Sequence, residues 1–215
     1  MNKSVYSLVL ADVVVAEIDR LAYENGTSRS NMVNQILAEY VSFDTPEKRM
    51  REIFSEVERL LTGGSNFQTM LQPSDSMFTL RSALTYKYNP TVRYSVELYR
   101  TGEPGLGELR VSVRSQNSTL RLYMLQFFKL WTRLEQMLIG PVECVIADDK
   151  YIRRLNCSEE SACANAALGE GIAAYIRMFD TALKVFFHRL DCPQDAWVHI
   201  ETLYREYLRQ HPAVI

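Results

Sequence analysis

The first forty residues change from an alternating hydrophobic pattern to a helical one. Residues 5–10 alternate, which predicts a short strand with Tyr6, Leu8 and Leu10 on one side. Apolar residues then recur at helical spacing from Asp12, an expected N-cap, to a stop at Asn25-Gly26. A second amphipathic helix is expected to open at Ser28, its N-cap, and to end near Phe43.

A lone strand with two short helices cannot bury this much apolar surface, so we expect a partner chain. The residues expected to form a core shared by two chains are Tyr6, Leu8, Leu10, Ile18, Ile36 and Leu37.

The middle of the chain predicts a linker helix and then a small sheet. Thr45-Pro46 opens a third amphipathic helix, which a glycine pair ends at residue 64. Segments 77–88, 91–101 and 109–115 are rich in β-branched and aromatic residues and are separated by turn signals. They predict a three-stranded antiparallel meander.

The remainder of the chain is expected to be largely helical. Residues 117–139 form an aromatic-rich helix that should cover the apolar face of the meander. Residues 142–147 suggest a short strand and residues 149–155 a helical turn. Two further helices are expected, from Ser158 to Leu190 and from Cys192-Pro193 to about Gln210. The fold class is therefore α+β.

Composition describes an ordinary globular protein. The 215 residues are 47% apolar, and 24 Lys and Arg stand against 26 Asp and Glu. No apolar run is long enough to cross a bilayer and no signal-peptide pattern is found, so we expect a cytoplasmic protein without a membrane partner. The four cysteines have no CxxC spacing.

The common local motifs of catalysis and cofactor binding are missing from the sequence. It contains no glycine-rich dinucleotide loop, Walker loop, Gly-x-Ser-x-Gly or His-Glu-x-x-His motif. Cys192 and His199 lie two helical turns apart, too far to hold one metal without other ligands. We expect no enzyme activity, no catalytic residue, no cofactor and no metal.

Residues 3–43 resemble the ribbon-helix-helix DNA-binding proteins of the Arc/MetJ/CopG type. The resemblance rests on the alternating segment 5–10, the helix ending Ile18-Asp19-Arg20-Leu21-Ala22, the Asn25-to-Ser30 turn and the run Met32 to Leu37. It implies a dimeric βαα module whose antiparallel ribbon enters the major groove while the start of the second helix holds a phosphate.

The resemblance also implies which residues contact DNA. Two of the groove-facing positions are valines, which offer only apolar contact to bases, so direct readout would be thin. The expected DNA-binding residues are Lys3, Val5, Ser7, Val9, Ser28, Arg29 and Ser30.

The predicted meander has a second candidate surface on its polar side. One side of its strands is apolar, whereas the other carries more basic than acidic residues and could hold a phosphate backbone or could be an ordinary solvated face. The basic residues of this side are Arg81, Lys87, Arg93, Arg110 and Arg114.

The resemblance implies a homodimeric DNA-binding protein, most simply a transcriptional regulator of the bacterial repressor type. Its expected parts are a DNA-binding and dimerisation module (1–44), a linker helix (45–64) and a C-terminal domain for sensing or interaction (65–215). The C-terminal domain could have a protein or small-molecule partner. Alternatives are an accessory or architectural protein for plasmid transfer, partition or DNA organisation, an antitoxin-like partner-binding protein, or a module that only dimerises.

Overall fold

The structure is a computed structural model that describes residues 5–41, 43, 45–63, 67–72, 74–100, 105–147, 149–156 and 164–211. Its helices are α1 (Asp12–Glu24), α2 (Arg29–Tyr40), α3 (Pro46–Thr62), α4 (Ser118–Ile139), α5 (Asn165–His188) and α6 (Pro193–Gln210). Its strands are β1 (Phe67–Thr69), β2 (Met77–Ala83), β3 (Thr91–Leu98), β4 (Gly107–Val113), β5 (Cys144–Ala147) and β6 (Lys150–Leu155). The chain divides into two compact units, Met1–Arg49 and Met50–Ile215. None of the described helices is both long and apolar enough to cross a bilayer.

The prediction of an N-terminal βαα, or ribbon-helix-helix, arrangement is wrong. The fold instead opens with three helices, and residues 5–10 form no ladder with any described strand. Alternation of apolar residues specifies two faces but supplies no hydrogen-bonding partner, and a strand exists only where a second strand pairs with it.

The caps of the first two helices follow the sequence prediction in part. Asn25 and Gly26 end α1, and Gly26 has a φ of 59°. Ser28 caps α2 as expected. Asp12 does not cap α1, because Ala11 occupies the N-cap position and Asp12 lies in the first turn.

The first unit buries few of its apolar side chains. Its small core consists of Ile18, Ala22 and Met32, with Leu21 and Val33 packed against them. Of the residues expected in a shared core, only Ile18 is buried; the exposed ones are Tyr6, Leu8, Leu10, Ile36 and Leu37.

The second unit contains a six-stranded antiparallel sheet of order β1-β2-β3-β4-β6-β5. The predicted meander is confirmed as β2-β3-β4, although β2 ends at Ala83 rather than near residue 88. The predicted helical turn at 149–155 is wrong, because β6 occupies residues 150–155. Ala147 of β5 pairs with Lys150 of β6, and Asp149, which directly precedes β6, has a left-handed φ of 60°.

Helices cover one face of this sheet. The side chain of Asn117 accepts hydrogen bonds from the backbone N–H groups of Thr119 and Leu120 and therefore caps α4, as the sequence predicts. The start predicted for α5 at Ser158 lies outside the described residues.

Helix α3 contributes to the core from Met50 onward, with Ile53, Val57 and Leu61 almost fully buried. It is therefore a core helix as well as a connection.

Helices α3 and α5 approach each other closely at Gly169. A Cβ at this position would lie 2.8 Å from the carbonyl oxygen of Ile53 and 2.8 Å from the Cβ of Glu56. A side chain at position 169 would therefore force the two helix backbones apart, so this contact requires glycine.

We expect Gly169→Ala to destabilise the protein by about 1–3 kcal/mol, the usual cost of overpacking a core. In an exposed helix the same change stabilises, because alanine has the higher helix propensity. Urea denaturation measures the effect, and an equal or higher midpoint would show that α3 and α5 do not pack at this residue.

Candidate nucleic-acid interface

The start of α2 is the better-formed part of the expected N-terminal site. Ser28 Oγ accepts a hydrogen bond from the backbone N–H of Asn31 at 3.3 Å, and Thr27 Oγ1 accepts one from Asn31 Nδ2 at 2.8 Å. Ser28, Arg29 and Ser30 are all exposed. The turn is therefore held in place with its first helical residues facing solvent.

Arg29 is engaged by a carboxylate of α1. Its Nε and Nη2 each lie 2.5 Å from an oxygen of Asp19, and this hydrogen bonding holds the pKa of Asp19 below its usual value. The pair is exposed, so solvent screens it strongly. Arg29 would have to leave Asp19, or share it, in order to contact a phosphate.

In the single chain, the residues expected to read the groove pair with no described strand. Val5, Ser7 and Val9 are exposed and belong to no strand. Lys3 lies outside the described residues.

The sheet of the second unit provides a second candidate surface, which we call the open face. It is the side of the sheet opposite the helices, where the strands place their polar residues. Its five basic and two acidic residues are Arg81, Arg93, Arg110, Lys150, Arg154, Glu97 and Glu108. The face therefore has a positive balance although the whole chain has a formal charge of −2.

Part of the open face is neutralised by its own carboxylates. Arg110 forms ion pairs with Glu97, at 2.9 Å, and with Glu108 on its own strand. Arg154 lies 3.2 Å from a carboxylate oxygen of Glu143 and stacks over the ring of Tyr99. These arginines are occupied within the fold.

The other basic residues of the open face have no carboxylate partner among the residues that the structure describes. Arg81 donates a hydrogen bond to the amide oxygen of Gln68 at 2.9 Å. Arg93 and Lys150 are exposed and form no ion pair with any described residue. Within the same described ranges this also holds for the exposed Arg114, which directly follows β4.

Lys87 lies away from the sheet. The structure places it in the turn between β2 and β3, where Tyr88 and Asn89 have left-handed φ values of 66° and 45°. The sequence prediction had put Lys87 on the strand itself, because Tyr86 and Leu84 continue its alternation.

A buried charge network escaped the sequence analysis. The carboxylate of Glu135 on α4 is fully buried and lies 3.0 Å from Nε of Arg153 on β6, which is 2% exposed. It accepts hydrogen bonds from the hydroxyls of Tyr151, at 2.7 Å, and Tyr175, at 3.0 Å. A further contact at 3.4 Å comes from Tyr204 on α6.

This network connects α4, β6, α5 and α6 inside the core of the second unit. Burial raises the pKa of Tyr151 and Tyr175 well above the usual range, so both remain neutral hydrogen-bond donors. Its charged groups are enclosed by the core, where Glu135 and Arg153 form an ion pair. One signal could have revealed it: Glu135 falls on the apolar stripe of α4, between Trp131 and Leu138.

A smaller polar cluster links α5 to the sheet. Tyr94 donates a hydrogen bond to Asp180 at 2.9 Å, and Nζ of Lys184 lies 2.6 Å from the same carboxylate and 2.8 Å from Ser82 Oγ. Every charge in this cluster has a partner, so it anchors α5 on the sheet.

The part of the chain that the structure describes contains no group of three or more potential metal ligands. Cys144 is half-buried and Cys192 is exposed.

Comparison with protein-family models, with curated proteins and with solved structures found no match. The surfaces described above therefore carry the functional argument by themselves.

The buried network yields a prediction about stability. Glu135→Gln leaves the Arg153 cation buried without its counter-ion, and breaking a buried pair in this way costs about 3–5 kcal/mol. Glu201→Gln is the matched control, since it removes an exposed pairing to Arg205 worth roughly 0.3–0.5 kcal/mol. Chemical denaturation of both variants tests the assignment, and similar midpoints would contradict it.

Proposed function

We propose that this chain is a DNA-binding protein of the accessory or architectural class, which contacts the phosphate backbone of duplex DNA with little dependence on base sequence. The observation that carries the proposal is the open face, where Arg81, Arg93 and Lys150 face solvent with no carboxylate partner among the described residues. Phosphate contacts of this kind supply most of non-specific DNA binding. The role is one of binding rather than catalysis, and we place it in the cytoplasm.

The shape of the open face favours backbone contact over base reading. A major groove about 12 Å wide admits one helix or a two-stranded ribbon. Six strands at about 4.8 Å spacing span roughly 24 Å, which is too wide to enter the groove. Such a surface meets the phosphates at the groove edges.

Association of two copies through the N-terminal unit forms part of the proposal. Among the described residues, thirteen of the nineteen exposed large apolar side chains belong to residues 5–43. Surface hydrophobic residues are normal when scattered, but this density marks an interaction site. We propose a homodimer, because a second copy carries the same apolar surface and can bury it symmetrically.

A second candidate function is sequence-specific transcriptional regulation. The observation that favours it is the exposed, capped start of α2 at Ser28, where unpaired backbone N–H groups and the helix dipole attract a phosphate. The pairing of Arg29 with Asp19 weakens this candidate relative to the first.

DNA binding to two duplexes separates these functions. We expect fluorescence anisotropy to give similar affinities for a duplex from the region upstream of the coding sequence and for a scrambled duplex, both falling steeply with salt. A preference of a thousandfold or more for one duplex would identify a regulator instead. Absence of binding to either at low salt would contradict DNA binding altogether.

The dimer is tested separately by substituting an exposed apolar residue. Leu8 is 61% exposed in the single chain, so Leu8→Asp should leave the fold of the monomer intact and abolish the dimer. The matched control is Leu71→Asp in the second unit, where Leu71 is 97% exposed. Light scattering should give a monomer mass for the first variant and a dimer mass for the second; dimer masses for both would refute the assignment.

A further inference from the structure

The cations of the open face that form no ion pair with a described residue lie in one line across the strands. The register pairs Gln68 with Arg81, Arg81 with Arg93, Arg93 with Ser112, and Ser112 with Lys150. Side chains at paired positions project from the same face of an antiparallel sheet. We call Arg81, Arg93, Ser112 and Lys150 the basic row.

The acidic residues of the open face lie in a different line. Glu97, Glu108 and Arg154 occupy paired positions on β3, β4 and β6. Along β3 this line is four residues from Arg93, or roughly 13 Å. Arg110 lies between the two lines and is bound to both glutamates. The positive potential of the face is therefore concentrated at the basic row.

The basic row has a cost in the free protein. Arg81 and Arg93 are directly opposite each other on neighbouring strands, and like charges in that position destabilise a sheet. Both side chains are exposed, so burial in the core does not account for them. An anion bound between the two guanidinium groups would remove the repulsion.

We propose that the basic row is the line along which the sheet grips the DNA backbone, so that the phosphates run across the strands rather than along them. This inference rests on the proposed function and specifies its contact site. The two arginines present forked donors suited to phosphate oxygens, Lys150 adds a point charge, and the Ser112 hydroxyl adds a donor.

The dimensions of the row suit a polymer rather than a small anion. Arg81 and Lys150 are three strand spacings apart, or roughly 14 Å. Duplex DNA carries one negative charge per about 1.7 Å of its axis, so several phosphates face that length. The row is open along the sheet and does not close around a single ion, and the exposed Arg114 follows β4 two residues beyond Ser112.

Charge-neutralising variants of the basic row test the inference. Arg93→Gln and Lys150→Gln are measured with a fluorescein-labelled 20-base-pair duplex at several salt concentrations. The controls are Arg110→Gln on the same face and Arg205→Gln on α6, which change the formal charge by the same amount. Circular dichroism checks that each variant is folded.

We expect each basic-row variant to weaken binding by roughly tenfold, as for loss of one charged hydrogen bond. Each should also reduce the slope of log K against log salt by about 1, whereas the controls should leave it near the wild-type value. If Arg93→Gln and Lys150→Gln bind like the wild-type protein with unchanged slopes, the basic row is not the contact line, although the proposed function could still hold. A reduced slope for Arg110→Gln but not for Arg93→Gln would also overturn the assignment of the basic row. Failure of the wild-type protein to bind would overturn both this assignment and the proposed function.

Discussion

The buried carboxylate of Glu135 is the interaction on which the second unit depends. A charge removed from water must be fully paired, and here the partners come from three other elements: β6, α5 and α6. If any of these elements slid along its neighbour, Glu135 or Arg153 would lose a partner inside the core. The network thus fixes the position of the helices on the sheet more strictly than apolar packing does, because apolar contacts tolerate small shifts.

The same strand that carries this network also carries part of the open face. Tyr151 and Arg153 of β6 point toward the helices, so Lys150 and Arg154 point the other way. A slip of one residue would exchange the two sets, burying Lys150 and exposing the partners of Glu135. The register that satisfies the buried charge is therefore also the one that aligns Lys150 with Ser112 and Arg93. Stability and the candidate interface share one constraint.

Local signals in the sequence predicted the elements that depend on local chemistry. Ser28, Thr45 and Asn117 cap helices, and the β2-β3-β4 meander follows its alternation. The sequence did not predict the features that depend on residues distant in the chain. The alternation of residues 5–10 specifies no partner strand. Strand β6 forms where the sequence predicts a helical turn, and its Arg153 faces inward toward Glu135, which is distant in sequence. The sequence places Arg81 and Arg93 on one side of the meander, but only the strand register shows that they align with each other and with Lys150.

The proposed function gives the two units different tasks, and their charge distribution is consistent with this division. The first unit, Met1–Arg49, carries five basic and seven acidic groups, and Arg29 is already paired, so this unit is poorly equipped to attract a polyanion. It has instead the apolar surface that association requires. The second unit has cations but a core that is already complete. A dimer formed through the first unit would place two basic rows in one molecule, and binding by one row would raise the effective concentration of DNA at the other. In the proposed dimer, weak backbone contacts would add up to useful binding without any base-specific contact, as the proposed accessory role requires.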